Sequence, residues 1–161
     1  MILATCYSIH EVAFVYRQRY GLPVDVAGGR PSIITSGDVG AVVMPQEVGR
    51  LVHKELSQSS ACAVPVLTHP RHHPWVFLVQ PDRINPAAAQ LLSRHGISIV
   101  DTGKRVWLPK SDSHADWYWA SAPGIVSAGR WMLAPARSRV LGSAKSVIAK
   151  SVATRSAGGI R

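Results

Sequence analysis

The chain has 161 residues, a hydrophobic content of 47% and a net charge of +9 at pH 7. That apolar content supports one domain of roughly 100–150 residues with its own core and excludes a wholly disordered chain. No apolar run approaches the ~20 residues a membrane span needs, so a membrane is not among the expected partners. The only cysteines, Cys6 and Cys62, stand far apart and outside any Cys-x-x-Cys pair. They fit the reduced thiols of a cytoplasmic protein better than a disulfide framework.

Ser8 and Glu11 have the spacing of a helix-capping pair, and Ile9, Val12, Ala13, Tyr16 and Tyr20 recur on one helical face. Gly21 and Pro23 end that helix. Val24–Val26 and Ser32–Thr35 flank the turn Ala27-Gly28-Gly29-Arg30 and predict a hairpin, and Val39–Met44 predicts a third strand. Pro45 suits the first turn of a second helix, with Val48, Leu51, Val52 and Leu56 as its apolar stripe. Gly49 inside that helix costs about 1 kcal/mol against Ala, a hint of close packing.

The middle of the chain, Val64–Gln80, is two short apolar runs separated by a turn rich in proline and histidine. Runs of this length and β-branched content read as the buried central strands. The turn sets Thr68, His69, Arg71, His72 and His73 at the mouth of the sheet. Asn85-Pro86 starts a third helix that Gly96 stops, with Arg94 and His95 near its negative end. Ile97–Val100, Arg105–Leu108 and Trp117–Ser121 complete the strands, the last with Trp117 and Trp119 on one face. The expected fold is α+β: a mixed or antiparallel sheet of about seven or eight short strands, with three helices, over residues 1–123.

Charge is unevenly spread. Residues 1–116 hold 11 Lys/Arg against 9 Asp/Glu, whereas residues 117–161 hold 7 Lys/Arg and no acid. From residue 124 onward, 18 of 38 residues are Gly, Ala or Ser. That composition predicts a basic tail, flexible or weakly helical from Arg139 to Thr154. A basic segment favours an acidic partner such as nucleic acid, although a merely solvated tail has the same composition.

Several constellations invite chemistry and each has a plainer reading. His69, His72 and His73 lack the cysteine or carboxylate ligands that usually complete a zinc site. Ser111, Asp112, Ser113, His114 and Asp116 form a nominal Ser/His/Asp set whose geometry nothing in the sequence fixes. Ala27–Arg30 precedes a strand, not the helix N-terminus that a phosphate-binding loop requires. Trp107, Trp117, Tyr118 and Trp119 could stack on unpaired bases, but large aromatics in strands more often fill a core.

In order along the chain, four stretches resemble the N-terminal domain of bifunctional DNA primase/polymerases, the prim-pol branch of the archaeo-eukaryotic primases. They are Tyr20–Val24 with Gly29-Arg30-Pro31; Val39–Val43; Thr68–Phe77; and Gly96-Ile97, Gly103, Val106, Pro109, Ser111, His114 and Tyr118-x-Trp119. The match covers about residues 9–121, and short stand-alone actinobacterial members are most similar. The resemblance implies a polymerase scaffold whose activity needs an Asp-x-Asp pair for two divalent cations. Here that place reads Met44-Pro45-Gln46, the third carboxylate falls on Ser98, and Asp101 is out of register. The family's histidine falls on Pro74 or, with one shift, His73.

The resemblance therefore implies a degenerate, non-catalytic module with no metal or other cofactor. Its expected partner is nucleic acid or a protein of replication or transcription. The residues expected to contact nucleic acid are Arg71, His72 and His73 in the central turn and Arg137, Arg139, Lys145, Lys150 and Arg155 in the tail. Two other readings stand beside it. One is a metal-dependent nucleotidyltransferase or nucleotide-binding protein using His69, His72, His73 and Asp101; the other is a protein-interaction domain with no nucleic-acid role.

Overall fold

The computed structural model describes residues 3–59, 63–127 and 132–157, with side chains to residue 153. Helix α1, Ile9–Tyr20, begins where the Ser8 hydroxyl accepts the Glu11 N–H at 3.2 Å. The Glu11 carboxylate reaches back to the Tyr7 N–H, and the helix ends at Gly21. Strands β1 (Val24–Ala27) and β2 (Arg30–Ile34) form the expected hairpin. Its two-residue turn places Gly28 at φ 55° and Gly29 at φ 69°, a left-handed conformation that a Cβ resists.

Strand β3 is Gly40–Met44 and helix α2 is Gln46–Ser59. The central strands are β4 (Val66–Thr68) and β5 (Trp75–Val79). Helix α3, Pro86–Ser93, is capped by the Asn85 side chain, which accepts the Ala87 N–H at 2.9 Å. Three short strands follow: β6 (Ser98–Ile99), β7 (Arg105–Trp107) and β8 (Tyr118–Ser121). Helix α4 is Arg137–Ala157.

The α+β class holds, but the strands divide into two antiparallel sheets and the helices number four among the described residues. One sheet has the order β1-β2-β7, the other β6-β3-β5-β4-β8. All five residues of β5 are buried because the larger sheet is covered on both faces. Val76 and Leu78 meet the core formed by α1 and the smaller sheet, with Tyr16, Leu22, Ile33 and Val106. Phe77 and Val79 meet α2, α3 and α4 through Val52, Leu56, Leu92 and Val140. This two-sided burial explains why β5 reads as a continuous apolar run without alternation.

Two contacts fix the layers. A Cβ built on Gly49 would lie 2.6 Å from Trp75 Cβ and 2.8 Å from Trp75 Cγ, so α2 approaches β5 at a distance only glycine permits. On the opposite face the buried Tyr16 hydroxyl donates to the Pro109 carbonyl at 2.8 Å and accepts from Trp119 Nε1 at 3.0 Å. Burial pushes the pKa of that hydroxyl far up, beyond the hydrogen bond from Trp119 that opposes it.

The C-terminal segment departs most from expectation. Residues 137–157 form the 21-residue α4, longer than the weak helix expected over Arg139–Thr154 and packed on the core rather than flexible. Val140, Leu141, Ala144 and Val147 are buried in the core beneath it. Its first turn is held from outside the segment, since Asp82 accepts the Ser138 N–H at 2.9 Å and the Ser138 hydroxyl. Arg137 donates to the Asp82 carbonyl, and its own N–H bonds the Gln80 carbonyl at 2.9 Å. Intrinsic propensity understates such a helix, because burial and a cap supplied by a distant loop outweigh the cost of its Gly and Ser.

Candidate nucleic-acid interface

The central turn joins β4 to β5 and is closed by the His73 N–H on the His69 carbonyl at 2.9 Å. His73 takes φ 48°, the left-handed region that a non-glycine residue seldom occupies. Arg71, His72 and His73 are all exposed, as the turn was expected to present them. His69 is half-buried and organises the group. Its Nδ1 accepts the Arg71 N–H at 3.2 Å, which places the ring proton on Nε2. Nε2 then faces Asp116 Oδ1 at 3.5 Å. The His72 ring stacks on His69 at a centroid distance of 5.4 Å, and Trp117 meets His69 edge-on at 5.4 Å.

The smaller sheet extends this surface. Asp116 Oδ2 accepts from Arg30 Nη2 at 2.5 Å, and the Arg30 guanidinium carbon lies 5.4 Å from the Trp107 ring centroid. Arg105 lies 5.7 Å from the same centroid and also bonds Asp25 at 3.2 Å and the buried Ser32 hydroxyl at 2.5 Å. Partial burial pushes the Asp116 pKa up. The Trp117 backbone N–H, the Arg30 hydrogen bond and the charges of Arg30 and His69 outweigh it and hold the carboxyl below its ordinary range. Residues from both sheets thus meet at one end of the molecule, alternating cations with aromatic rings.

A second face of the same turn closes an open cleft of about 470 Å³, lined by Met44, Pro45, Gln46, Glu47, His72, His73 and Gly96. Met44, Pro45 and Gln46, the positions where the resemblance expects paired carboxylates, line this cleft. The donors do not fit a two-cation site: Glu47 is the one carboxylate lining it. Among the described residues no group of three or more His, Cys, Asp or Glu is placed to hold a metal ion. Asp101 lies elsewhere. It follows Val100, whose N–H bonds Ala41 O, so the chain there has run towards the Gly40 end of β3, away from Met44 and the histidine turn.

The C-terminal cations are placed differently. Arg137 follows Ala136, which bridges Gln80, whereas the turn adjoins Trp75 at the other end of β5. At ~3.4 Å per residue the two ends of the strand are roughly 20 Å apart. Arg137 is engaged with Asp82, and Arg139 donates to the Ser59 carbonyl at 2.8 Å. Lys150 pairs with Glu55 at 3.5 Å, and Lys145 is exposed at the rim of a groove between α3 and α4. The Arg155 side chain lies outside the described residues. The expected contact set is therefore brought together within the turn but is not continuous with the cations of α4.

Ser111, Asp112 and His114 of the nominal Ser/His/Asp set line one small cleft, while Asp116 is turned to Arg30 and His69. Asp112 Oδ2 accepts the N–H groups of Leu3 and Ala4, both at 3.0 Å, and His114 stacks on Tyr118 at 4.2 Å. The Ser111 and Ser113 hydroxyls accept loop N–H groups. Sequence reasoning did not join Arg30, Arg105 and Asp116 to His69 and the turn. The pairing of β2 with β7 and of β4 with β8 unites them, and no local spacing carries that signal. Comparison of the chain with protein-family models, with curated proteins and with solved structures gave no match.

Proposed function

We propose that the chain is a nucleic-acid-associated module without polymerase chemistry, built on a primase/polymerase-like scaffold. The observation that supports it is the surface at the turn: His72 on His69, Trp117 beside them, and Arg30 and Arg105 flanking Trp107. Aromatic and imidazole rings offer stacking planes to unpaired bases, while guanidinium groups attract phosphate and stack as well. Arg71, two residues beyond His69, is exposed. The donor set of the adjoining cleft supports binding without nucleotidyl transfer.

Fluorescence anisotropy with single-stranded and duplex oligonucleotides at two salt concentrations tests the reading. Binding is expected to favour the single strand and to weaken with salt, each neutralised phosphate of a single strand contributing about −0.7 to the log–log slope. Arg71→Ala is expected to weaken it severalfold. No binding to either form, at low salt, overturns this reading in favour of a protein partner. Magnesium- or manganese-dependent nucleotide incorporation, lost in a His69/His72/His73 alanine variant, favours the enzyme.

A further inference from the structure

We propose that Arg30 and His69 form a phosphate-binding site that the Asp116 carboxylate occupies in the free protein, so that a phosphate enters by displacing Asp116. The site itself stands on geometry; the identity of its ligand, a nucleic-acid phosphodiester, rests on the reading above.

Asp116 bridges two donors from different sheets. One oxygen meets Arg30 Nη2 at 2.5 Å and the other faces His69 Nε2 at 3.5 Å. A carboxylate spanning two such donors mimics one edge of a phosphate. It leaves the recognition incomplete, because a guanidinium presents two parallel donors and Asp116 engages only Nη2. Arg30 Nε is buried and has no hydrogen-bond partner among the described residues. A phosphate seated in place of the carboxylate has oxygens for Nε, Nη2 and His69 Nε2 together.

Both donors are held in position before any ligand arrives. Arg30 lies over Trp107, and His69 is fixed by the Arg71 N–H on Nδ1 and by Trp117 at its edge. The occupant sits on a loop, and besides these two donors its carboxylate accepts the backbone N–H of the adjacent Trp117. Asp116 immediately precedes Trp117 at the end of the irregular loop after β7, where the hydrogen bonds of Ser113 and Ala115 are local. Its side chain can swing out without breaking a strand pairing. Asp116 then competes intramolecularly with every incoming phosphate, and the affinity of the free protein is lowered accordingly.

The discriminating variant is Asp116→Asn, which keeps the size and removes the charge. Calorimetry with inorganic phosphate and anisotropy with a single-stranded oligonucleotide are run on the full chain. Asp116→Asn is expected to bind both probes about tenfold more tightly than wild type, and Arg30→Gln/Asp116→Asn to lose the gain. Unchanged or weaker binding of both probes by Asp116→Asn overturns the site, as does a gain that survives in the double variant.

The two levels separate cleanly. Tighter inorganic phosphate without any oligonucleotide binding keeps the site and removes the nucleic-acid reading; wild-type oligonucleotide binding that Asp116→Asn does not raise does the reverse. A readout without substitution guards against misfolding of the variant. Phosphate titrated into wild type at constant ionic strength is expected to shift the NMR signals of Arg30 Nε–H and His69, and unmoved signals overturn the proposal.

Discussion

The two basic regions of this protein use the same residue types for opposite ends. Three cations of α4 are tied to the body of the domain, Arg137 to Asp82, Arg139 to the Ser59 carbonyl and Lys150 to Glu55, while Lys145 is exposed. Beneath them lie Val140, Leu141, Ala144 and Val147, so the segment is core on one side and ties on its borders. At the turn, the cations lie against Trp107 or stand exposed, and Asp116 is the acid shared by Arg30 and His69. Net charge therefore does not measure availability. The region with seven Lys/Arg and no acid draws its carboxylate partners from elsewhere in the chain, whereas the nearly neutral region carries the stacked surface.

The largest effect that sharpens this comparison is a core truncation in α4. Leu141→Ala is expected to cost about 2–4 kcal/mol in urea unfolding, as for other buried leucines. A cost near zero would return α4 to the status of a loose tail. For the same reason, removal of residues 124–161 strips one core of its cover and is unsuited to testing their role in binding. Single charge substitutions serve instead.

Next in size, Gly49→Ala sets two effects against each other. Helix propensity alone favours Ala by about 1 kcal/mol. The clash with Trp75 Cβ and Cγ acts against it, and overpacking in a closed layer costs about 1–3 kcal/mol. Net destabilisation is expected, read as a lower urea midpoint; a gain in stability would mean that α2 does not lie so close on β5. On the other face, Tyr16→Phe leaves the Pro109 carbonyl and Trp119 Nε1 without their partner and is expected to cost about 1–3 kcal/mol.

The comparison breaks most directly in binding. Arg71→Ala is expected to lower oligonucleotide affinity severalfold while leaving stability within about 0.5 kcal/mol. Lys145→Ala, exposed on α4, is expected to change affinity little. The reverse order would move the interface to α4.

The smallest expected effect is a pH signature at Asp116. Its folded-state pKa lies below the ordinary 3.8, so its contribution to stability is fully present above that pH and fades as pH falls through the folded value. The side chain is 36% exposed, and solvent screening keeps the contribution under about 1 kcal/mol. Asp116→Asn should be slightly less stable than wild type at pH 6 and converge with it in strong acid. Parallel curves at every pH would show that the Arg30 pair does not persist in solution.

Local chemistry in the sequence carried much of the fold. The Ser8–Glu11 cap, the Gly28-Gly29 turn, the Asn85-Pro86 start and the apolar runs around the histidine turn each announce an element, because a cap, a left-handed turn and a buried strand are decided by neighbours in the chain. Gly49 even signalled a close approach before its partner, Trp75, was known.

What the tertiary structure alone decided falls into three contacts between distant segments. Division into two sheets depends on β7 pairing with β2 and β6 with β3, which one apolar pattern permits in several ways. The order of α4 comes from a cap on Asp82 and a core made by α2, α3 and β3, none of it present in a Gly-, Ala- and Ser-rich window. The turn surface unites Arg30, His69, Trp107 and Asp116 across as many as 86 positions of chain. Such a site has no sequence spacing to read, since the sheets, not the local backbone, set its distances.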